Sequence, residues 1–290
     1  MQLLESLSQM RAWSRAERAR GRRIGLVPTM GFLHEGHLRL VDRARERADG
    51  VVMSIFVNPL QFGPGEDFAT YPRDVERDKK LAAERNVDCL FLPDAKAMYP
   101  ADPLVRVHPG PMADGLEGAA RPGHFAGVLT VVAKLFHVVE PDIAVFGRKD
   151  FQQAMLVRRM ADDLNFGLEV DIAPTVRELD GLALSSRNAY LQGDERRAAL
   201  ALSRALRAVE QAWRGGEADP GPLARRGLDV LRAPGVAPEY LALVDGQMRP
   251  VARVDARTVV LVAAKVGRTR LIDNVVLGEG IASDLSVRTA

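Results

Sequence analysis

The sequence predicts an α/β fold in which a Rossmann-like domain with a parallel sheet precedes a second, smaller α+β domain. Through the first two thirds of the chain, short apolar runs alternate with amphipathic stretches, a pattern typical of βαβ units. Near residue 190 the pattern changes to a long Ala/Arg/Leu stretch followed by β-rich segments. We therefore predict a first domain at residues 1–187 and a C-terminal lid domain at residues 188–290.

Each element of the first domain follows from its hydrophobic pattern. Apolar runs predict five buried strands, RRIGLVP, GVVMSIFVN, DCLFLP, DIAVFG and LEVDIAP. Stretches with a helical period predict the helices GHLRLVDRARERA, RDVERDKKLAAERN, GVLTVVAKLFHVVEP and DFQQAMLVRRMADDL. Ahead of the first strand, the arginine-rich segment RAWSRAERARGRR predicts the solvated face of a helix.

The second domain is predicted from fewer elements. Its first helix is DERRAALALSRALRAVEQAW, and the loop RGGEADPGP separates this helix from a second one. The segments EYLALVD and TVVLVAAKVG then predict two strands.

Composition excludes several classes of protein. Of 290 residues, 40 are Lys or Arg and 38 are Asp or Glu, so the net charge of +2 does not favour nucleic-acid binding. No apolar run is long enough to span a membrane, and the first residues lack the pattern of a secretory signal. The single cysteine, Cys89, excludes an internal disulfide and is expected to be buried. We expect a soluble, cytoplasmic protein.

Two histidines stand in the turn between the first predicted strand and the helix after it, in the string VPTMGFLHEGHLRL. His34 and His37 are too close for the zinc motif H-E-x-x-H, although two ordinary histidines with satisfied hydrogen bonds remain an alternative. In an open α/β sheet, such a turn points the N–H groups of a helix N-terminus at bound anions. Gly31 and Gly36 allow a phosphate to approach the backbone. The turn therefore indicates chemistry at a nucleotide phosphate.

Three further loops place polar side chains where the predicted strands end. Asn58 and Gln61 open a long Gly/Pro-containing loop after the second strand, a usual place for a substrate lid. The string VFGRKDFQQ puts Lys149, Asp150 and Gln153 after another strand, although this segment alone could be a surface turn. Near the domain boundary, Ser185, Ser186 and Arg187 suit phosphate oxygens or, alternatively, cap the next helix.

Several ordered motifs together resemble the pantothenate synthetase (pantoate–β-alanine ligase) family. They are PTMGFLHEGH, FVNPLQF, YPRD, EGAARPGHFAGV, VFGRKDFQQ and DGLALSSRN, and YLALVD resembles the C-terminal segment of that family. The H-x-G-H string alone would indicate only the wider nucleotidyl-transfer superfamily. The sequence departs from the family pattern at Arg148, where the family has an acidic residue before the lysine.

The resemblance implies a reaction in two steps and a role for each motif. Pantoate attacks the α-phosphorus of ATP to give an acyl adenylate and pyrophosphate, and β-alanine then attacks the activated carbonyl and releases AMP. His34 and His37 would donate to the α-phosphate and leaving group, while Lys149 and Arg187 would act on the triphosphate. The remaining ATP contacts implied by the family are Met30, Gly31, Gly36, Gly147, Asp150, Val176, Leu184, Ser185 and Ser186.

The resemblance also implies the other ligands. Gln61 and Gln153, with Asn58, would read the hydroxyl and carboxylate of pantoate through neutral amides. Mg²⁺ would accompany ATP and keep mostly water and phosphate ligands. Asp78 is a candidate metal ligand, with a solvated helix residue as the alternative. A homodimer is the family expectation.

Two alternatives come from other functional classes. A nucleotidyltransferase that acts on a phosphorylated small molecule would share the H-x-G-H turn, but it would need a cationic acceptor pocket in place of two neutral glutamines. A non-catalytic nucleotide- or RNA-binding module would not need histidines, a lysine and an arginine to converge. Pyrophosphate exchange into ATP that depends on pantoate separates these alternatives from the ligase.

Overall fold

The computed structural model describes residues 1–232 and 235–287, and the chain divides into two compact units. Unit 1 comprises Met1–Gly147 and Gln152–Ala173, and unit 2 comprises Arg148–Phe151 and Pro174–Ala290. None of the helices in the described part of the chain is long and apolar enough to cross a membrane.

Unit 1 is built on a six-stranded sheet in which every pairing is parallel. The strands in chain order are β1 (Gln2–Leu4), β2 (Ile24–Thr29), β3 (Gly50–Ile55), β4 (Cys89–Phe91), β5 (Ile143–Gly147) and β6 (Glu169–Ala173). Their order across the sheet is β1-β4-β3-β2-β5-β6. The chain therefore runs outward from β2 on one side and returns to β5 on the other, which creates a crevice at the carboxyl ends of these strands.

Helices cover both faces of this sheet. They are α1 (Leu7–Ala19), α2 (Glu35–Arg45), α3 (Val75–Glu84), α4 (Ala95–Met98), α5 (Glu117–Ala120), α6 (His124–Val139) and α7 (Phe151–Asp163). Successive strand residues alternate between two apolar cores, so that Cys89 and Phe91 enter the core with α6 and Leu90 enters the core with α2. A sheet buried on both faces explains why its strands are almost continuously apolar.

Unit 2 contains an antiparallel sheet packed against two helices. Strands β8 (Val236–Val244), β9 (Val259–Val266) and β10 (Thr269–Val276) form the sheet in the order β10-β9-β8. Helices α8 (Gly193–Ala198), α9 (Leu200–Arg214) and α10 (Pro220–Leu231) follow one another, and α9 and α10 contribute to a shared apolar core with the sheet. Two short strands, β7 (Val176–Glu178) and β11 (Leu285–Val287), pair in parallel.

The predicted α/β class with a smaller α+β domain is confirmed, and so are the five strands and four helices predicted for the first domain. The predicted long helix at the start of the second domain is divided in two at Ala199. The boundary predicted at residue 187 stays a prediction for the domains, whereas the two compact units divide between residues 173 and 174, because the pairing of β7 with β11 ties the intervening segment to the C-terminal part of the chain. Residues 148–151 also belong to unit 2, a discontinuity that no local pattern indicates.

Candidate active site

Polar side chains predicted for the site follow three adjacent strands of unit 1. His34 and His37 come after β2, and Gln61 comes after the neighbouring β3. Gln153 follows β5, just beyond residues 148–151, which belong to unit 2. Because these strands are parallel, all three loops leave the same edge of the sheet, where the direction of strand order reverses. The structure thus places these residues along the edge that α/β proteins use for ligands.

The H-x-G-H turn begins helix α2 and is capped by its own histidines. Nδ1 of His34 accepts the backbone N–H of Gly36 at 3.1 Å, and Nδ1 of His37 accepts that of His34 at 3.3 Å. The two rings stack with centroids 4.0 Å apart. Because an Nδ1 atom that accepts a hydrogen bond carries no proton, the proton of each neutral ring lies on Nε2. The local fold therefore makes both imidazoles Nε2–H donors at a helix N-terminus.

Two adjacent side chains of helix α3 hold the loop that precedes these histidines. The Asp78 carboxylate accepts the N–H groups of Phe32 and Leu33, both at 2.7 Å, and Arg77 donates to the Leu33 carbonyl at 2.8 Å. Asp78 is 1% exposed, and burial raises the pKa of its carboxyl even though the two N–H groups act in the opposite direction. Gly31 has φ of +83°, and a Cβ atom there would lie 2.9 Å from this carboxylate.

These contacts correct one interpretation of Asp78 and leave another as a prediction. The alternative that it is a solvated helix residue is wrong, because its side chain is buried and accepts two backbone hydrogen bonds. Its assignment to Mg²⁺ stays a prediction. In the described part of the chain, no cluster of three or more His, Cys, Asp or Glu side chains is arranged to hold a metal ion.

Gln61 ends a 3₁₀ turn at Pro59–Gln61 and is held on two sides. The Asn58 amide donates to Gln61 Oε1 and to the carbonyl of Gly127, both at 3.1 Å, and Asn58 Oδ1 accepts the Tyr99 hydroxyl at 3.0 Å. A Cβ atom at residue 127 would collide with a backbone carbonyl of the turn Pro59–Gln61, so only glycine lets helix α6 approach this turn so closely. Asn58 is 1% exposed, and its contacts make it a support for Gln61.

His124, to which the sequence assigned no role, supports the same loop from helix α6. Its Nδ1 atom lies 2.8 Å from the Gln61 carbonyl, and its Nε2 atom lies 3.0 Å from a guanidinium nitrogen of Arg121. Since a carbonyl only accepts and a guanidinium only donates, the ring carries its proton on Nδ1, the opposite tautomer from the turn histidines. Burial, reinforced by the Arg121 charge, lowers the pKa of His124 to about 4. Glu66 pairs with Arg121 at 2.6 Å.

The two consecutive glutamines of helix α7 have different environments. Gln152 is 3% exposed, and its amide binds the backbone of the loop around helix α5 through the N–H of Glu117 and the carbonyls of Met112 and Gly115, at 2.8–3.1 Å. Gln153 is half-buried, and within the described residues its side chain makes no hydrogen bond. The structure therefore gives Gln152 a structural role and leaves Gln153 as the glutamine that is available for a ligand.

The predicted triphosphate residues lie in unit 2, on two short 3₁₀ turns that both contact strand β10. Lys149 lies in the turn Arg148–Asp150, which we call the lysine turn. Its side chain is 19% exposed, with Nζ 3.8 Å from a carboxylate oxygen of Asp150. Ser185 begins the turn Ser186–Tyr190, and its hydroxyl accepts the N–H of Arg187 at 3.3 Å. Ser185 thus caps a turn, as the alternative interpretation of this segment predicted, and a cap can still present its neighbours to a ligand.

Two apolar members of the predicted ATP set lie beside these turns. Val176 and Leu184 are each 6% exposed, and the N–H of Leu184 donates to the Val176 carbonyl at 2.9 Å. Gly147 ends strand β5 directly before the lysine turn.

Arg148, the departure from the family pattern, is part of a buried ionic network in unit 2. It is 6% exposed, its guanidinium contacts the Glu279 carboxylate, and it pairs with Asp284 at 2.6 Å. Asp284 also pairs with Arg177 at 2.6 Å, and Arg177 binds both oxygens of Asp273 at 2.6 and 2.8 Å. Burial raises the pKa of Asp284, although both arginines act to lower it. The sequence did not reveal this network because its members are spread from residue 148 to residue 284.

A cavity of about 380 Å³ opens in unit 1 beside the loop that precedes the histidines. Of the residues predicted for the site, it is lined by Met30, Gly31 and Asp78, and its other walls come mainly from the ends of β3 and β4 and the start of α3. His34, His37 and Gln61 do not line it. This cavity therefore does not coincide with the predicted substrate residues.

A parallel sheet whose central strand leads into two stacked Nε2–H donors at a helix N-terminus is suited to the class of α/β enzymes that act at nucleotide phosphates. Comparison with known proteins narrows this class. The family model described as pantoate-beta-alanine ligase matches residues 2–276. A pantothenate synthetase from Pelotomaculum thermopropionicum is 50% identical over 281 residues, which cover 96% of this chain and all of the relative. The chain therefore belongs to the pantoate–β-alanine ligase family.

Solved structures agree with this placement. The crystal structure of pantothenate synthetase from Thermus thermophilus has a TM-score of 0.91 and 47% identity, and it covers 96% of this chain and 99% of its own. Pantoate-beta-alanine ligase from Francisella tularensis, complexed with Beta-gamma ATP and Beta-alanine, has a TM-score of 0.82 and 33% identity, covering 97% and 99%. The predicted family and its activity as an ATP-dependent ligase are confirmed, and the phosphorylated-acceptor alternative is set aside.

Proposed function

We propose that the residues described above carry out the reaction of this family, the ATP-dependent ligation of pantoate to β-alanine, through a pantoyl adenylate. A carboxylate is a poor electrophile because it is anionic and lacks a good leaving group. Attack of the pantoate carboxylate on the α-phosphorus of ATP expels pyrophosphate and gives a mixed anhydride. The β-alanine amine then attacks the acyl carbon, loses a proton and expels AMP. The Francisella relative, solved with β-alanine and a β,γ-ATP ligand, supports ATP and β-alanine as ligands.

The observation that carries the proposal is the capping of the H-x-G-H turn by its own side chains. Each Nδ1 atom is occupied by a backbone N–H, so His34 and His37 have Nε2–H groups as their donors. Donors fixed before the reaction stabilise charge on phosphate oxygens without reorganisation in the transition state. We assign His34 and His37 to the α-phosphate and the departing pyrophosphate, with Gly36 and the N-terminus of α2 beside them.

Pantoate is assigned to the glutamines of unit 1. Gln61 is held by Asn58 and His124, and Gln153 is half-buried without a hydrogen bond inside the described chain. An amide both donates and accepts, so a pair of amides matches a hydroxyl next to a carboxylate without adding a charge. Binding residues that are fixed by packing hold the attacking oxygen in line with the phosphorus.

The cations and hydroxyls of unit 2 are assigned to the rest of ATP. Lys149 supplies a compact positive charge for phosphate oxygens, and Ser185, Ser186 and Arg187 supply hydroxyls and a guanidinium. Gly147, Asp150, Val176 and Leu184 are assigned to the nucleoside, and Met30 and Gly31 belong to the same predicted set. Mg²⁺ fits this residue set as the ion of Mg–ATP, which keeps most of its ligands as water and phosphate and so needs few side chains. A homodimer and a cytoplasmic location stay predictions from the family.

Exchange of labelled pyrophosphate into ATP tests the assignment, because it reports adenylation without β-alanine. We expect exchange in the wild type only when pantoate is added. His34→Ala and His37→Ala should each slow it about 100-fold, since loss of one fixed donor to developing charge costs about 3 kcal/mol. Gln153→Leu should raise the KM for pantoate and leave that for ATP near its normal value. His108→Ala, on an exposed histidine, is the control.

Three results would contradict the proposal. Exchange at the wild-type rate in both histidine variants would remove the turn from the chemistry. Exchange that needs no pantoate, or a normal pantoate KM in Gln153→Leu, would remove the substrate assignment while leaving adenylation itself in place.

A further inference from the structure

The backbone on both sides of Lys149 is held by one buried side chain. The amide nitrogen of Asn274, in strand β10, donates to the carbonyl of Arg148 and to the carbonyl of Lys149, each at 2.9 Å. These carbonyls belong to the two peptide groups that flank the Lys149 Cα atom. Fixing both peptide planes sets the two backbone dihedral angles of that residue and with them the direction of its Cα–Cβ bond, from which the side chain starts. Asn274 is 1% exposed, so water does not replace it in this role.

The residue before the lysine is anchored independently. The Arg148 guanidinium binds Asp284 and Glu279, and Asp284 shares Arg177 with Asp273. These contacts lead back to Asn274 in strand β10, because an oxygen of Asp273 accepts the backbone N–H of Asn274 at 2.8 Å. The lysine turn is therefore held by its main chain and by the side chain of its first residue, and both anchors meet on β10.

The arrangement is costly for a purely structural one. The Oδ1 atom of Asn274 is buried and has no hydrogen-bond partner in the described part of the chain. An unsatisfied buried oxygen destabilises a fold, and this cost offsets part of the stability that the two hydrogen bonds of the amide nitrogen contribute. Buried ion pairs likewise contribute little net stability, but their geometry is exacting. Both features are explained if their role is to fix the position of the lysine turn.

We propose that Asn274, together with Arg148, is a positioning residue that aims Lys149 at the phosphate groups of ATP. The inference rests on the proposed role of Lys149 in adenylation. It gives a function to Arg148, and it makes β10 a support of the active site.

A double-mutant cycle on pyrophosphate exchange tests the inference. Asn274→Leu keeps the number and branching of the side-chain heavy atoms, removes both hydrogen bonds, and should lower the kcat of exchange about 10- to 100-fold, the scale expected for a misplaced catalytic group. The KM for pantoate should stay within about twofold. In a Lys149→Ala background, Asn274→Leu should cause almost no further loss, because residues that act as a unit are not additive.

Thr258→Val is the matched control, because Thr258 is also a buried polar residue of unit 2 and contacts Asp255 instead of the lysine turn. It should lower the melting temperature and leave kcat unchanged. If Asn274→Leu does not fold, Asn274→Ser takes its place in the cycle, since a serine hydroxyl is too short to reach both carbonyls.

The possible outcomes separate the inference from the proposal beneath it. Wild-type exchange in Lys149→Ala would overturn the role of Lys149 and with it the inference. A slow Lys149→Ala variant beside a wild-type kcat in the Asn274 variant would overturn the inference alone. Losses that multiply in the double variant would also overturn it, because they would show that Asn274 acts elsewhere.

Discussion

The two units hold their candidate catalytic groups by different physical means. In unit 1, the H-x-G-H turn is held mainly by backbone N–H groups, accepted by a single carboxylate and by two neutral imidazoles. In unit 2, the lysine turn is attached to two buried arginines and three carboxylates. The first arrangement depends on separate hydrogen bonds from backbone N–H groups to one carboxylate and two imidazoles, whereas the second depends on charges that must all be present together.

The difference shows where a site is tolerant and where it is fragile. Loss of one hydrogen bond in a neutral turn leaves the neighbouring bonds intact, so its cost is limited. Loss of one member of a buried ionic network leaves an uncompensated charge in a medium that solvates it poorly. Substitutions in the two units should therefore differ in the size of their effects. Two substitutions and one pH response, taken from the largest effect to the smallest, measure the difference.

Arg177→Met should have the largest effect. Arg177 is 2% exposed and binds two carboxylates, so its removal leaves Asp273 and Asp284 with unbalanced charge. We expect the free energy of unfolding to fall by about 3–5 kcal/mol. Denaturant titration of the variant measures this. Arg232→Met, which breaks an exposed ion pair with Asp229, is the control and should cost less than about 1 kcal/mol. Equal costs for the two variants would show that the network is no more demanding than a surface pair.

Asp78→Asn should have an intermediate effect. The amide keeps one acceptor and turns an NH₂ group toward the second N–H of the loop, which loses one buried hydrogen bond to a charged group. We expect a cost of about 2–3 kcal/mol. The loop it supports leads directly into the histidines, so pyrophosphate exchange should slow as well. Calorimetric melting with the exchange assay measures both, and a normal rate in a destabilised variant would separate the loop from catalysis.

The pH response should show the smallest effect, and it concerns unit 1. The pKa of His124 falls from 6.5 to about 4 on folding, so the folded state binds fewer protons than the unfolded state in this window. Stability is therefore lost as the pH falls from about 6.5 toward about 4, with about 2 kcal/mol lost at pH 5. Urea titrations at pH 7 and pH 5 measure the loss. His124→Gln should remove most of it, and an unchanged difference in that variant would assign the pH response to other groups.

Local patterns predicted the part of the site that local structure builds. The alternation of strands and helices and the histidine spacing of three were sufficient for the sheet, the turn and helix α2. The resemblance to a known family then indicated the two turns that carry Lys149 and Arg187. The support of Gln61 by His124 was not predicted, although a histidine at the start of the strongly apolar helix α6 was a visible signal.

Other features were beyond the reach of local patterns. Strand β10 was not predicted, and it carries both Asp273 and Asn274. The partners of Arg148 lie 131 and 136 residues further along the chain, and nothing in the neighbourhood of Arg148 indicates them. Likewise, no period distinguishes the buried Gln152 from the half-buried Gln153, because which of two adjacent residues points inward depends on the helix's neighbours.

The discontinuity of unit 2 also sets an order of events during synthesis. Because the chain emerges from the ribosome with its N-terminal end first, residues 148–151 are made long before Glu279 and Asp284. A nascent chain that stops at Ala173 contains every strand of the six-stranded sheet, yet its Arg148 has none of its carboxylate partners. Lys149 can therefore reach its native geometry only when almost the whole polypeptide has been made. A gene divided between the codons for residues 173 and 174 would separate the lysine turn from everything that anchors it.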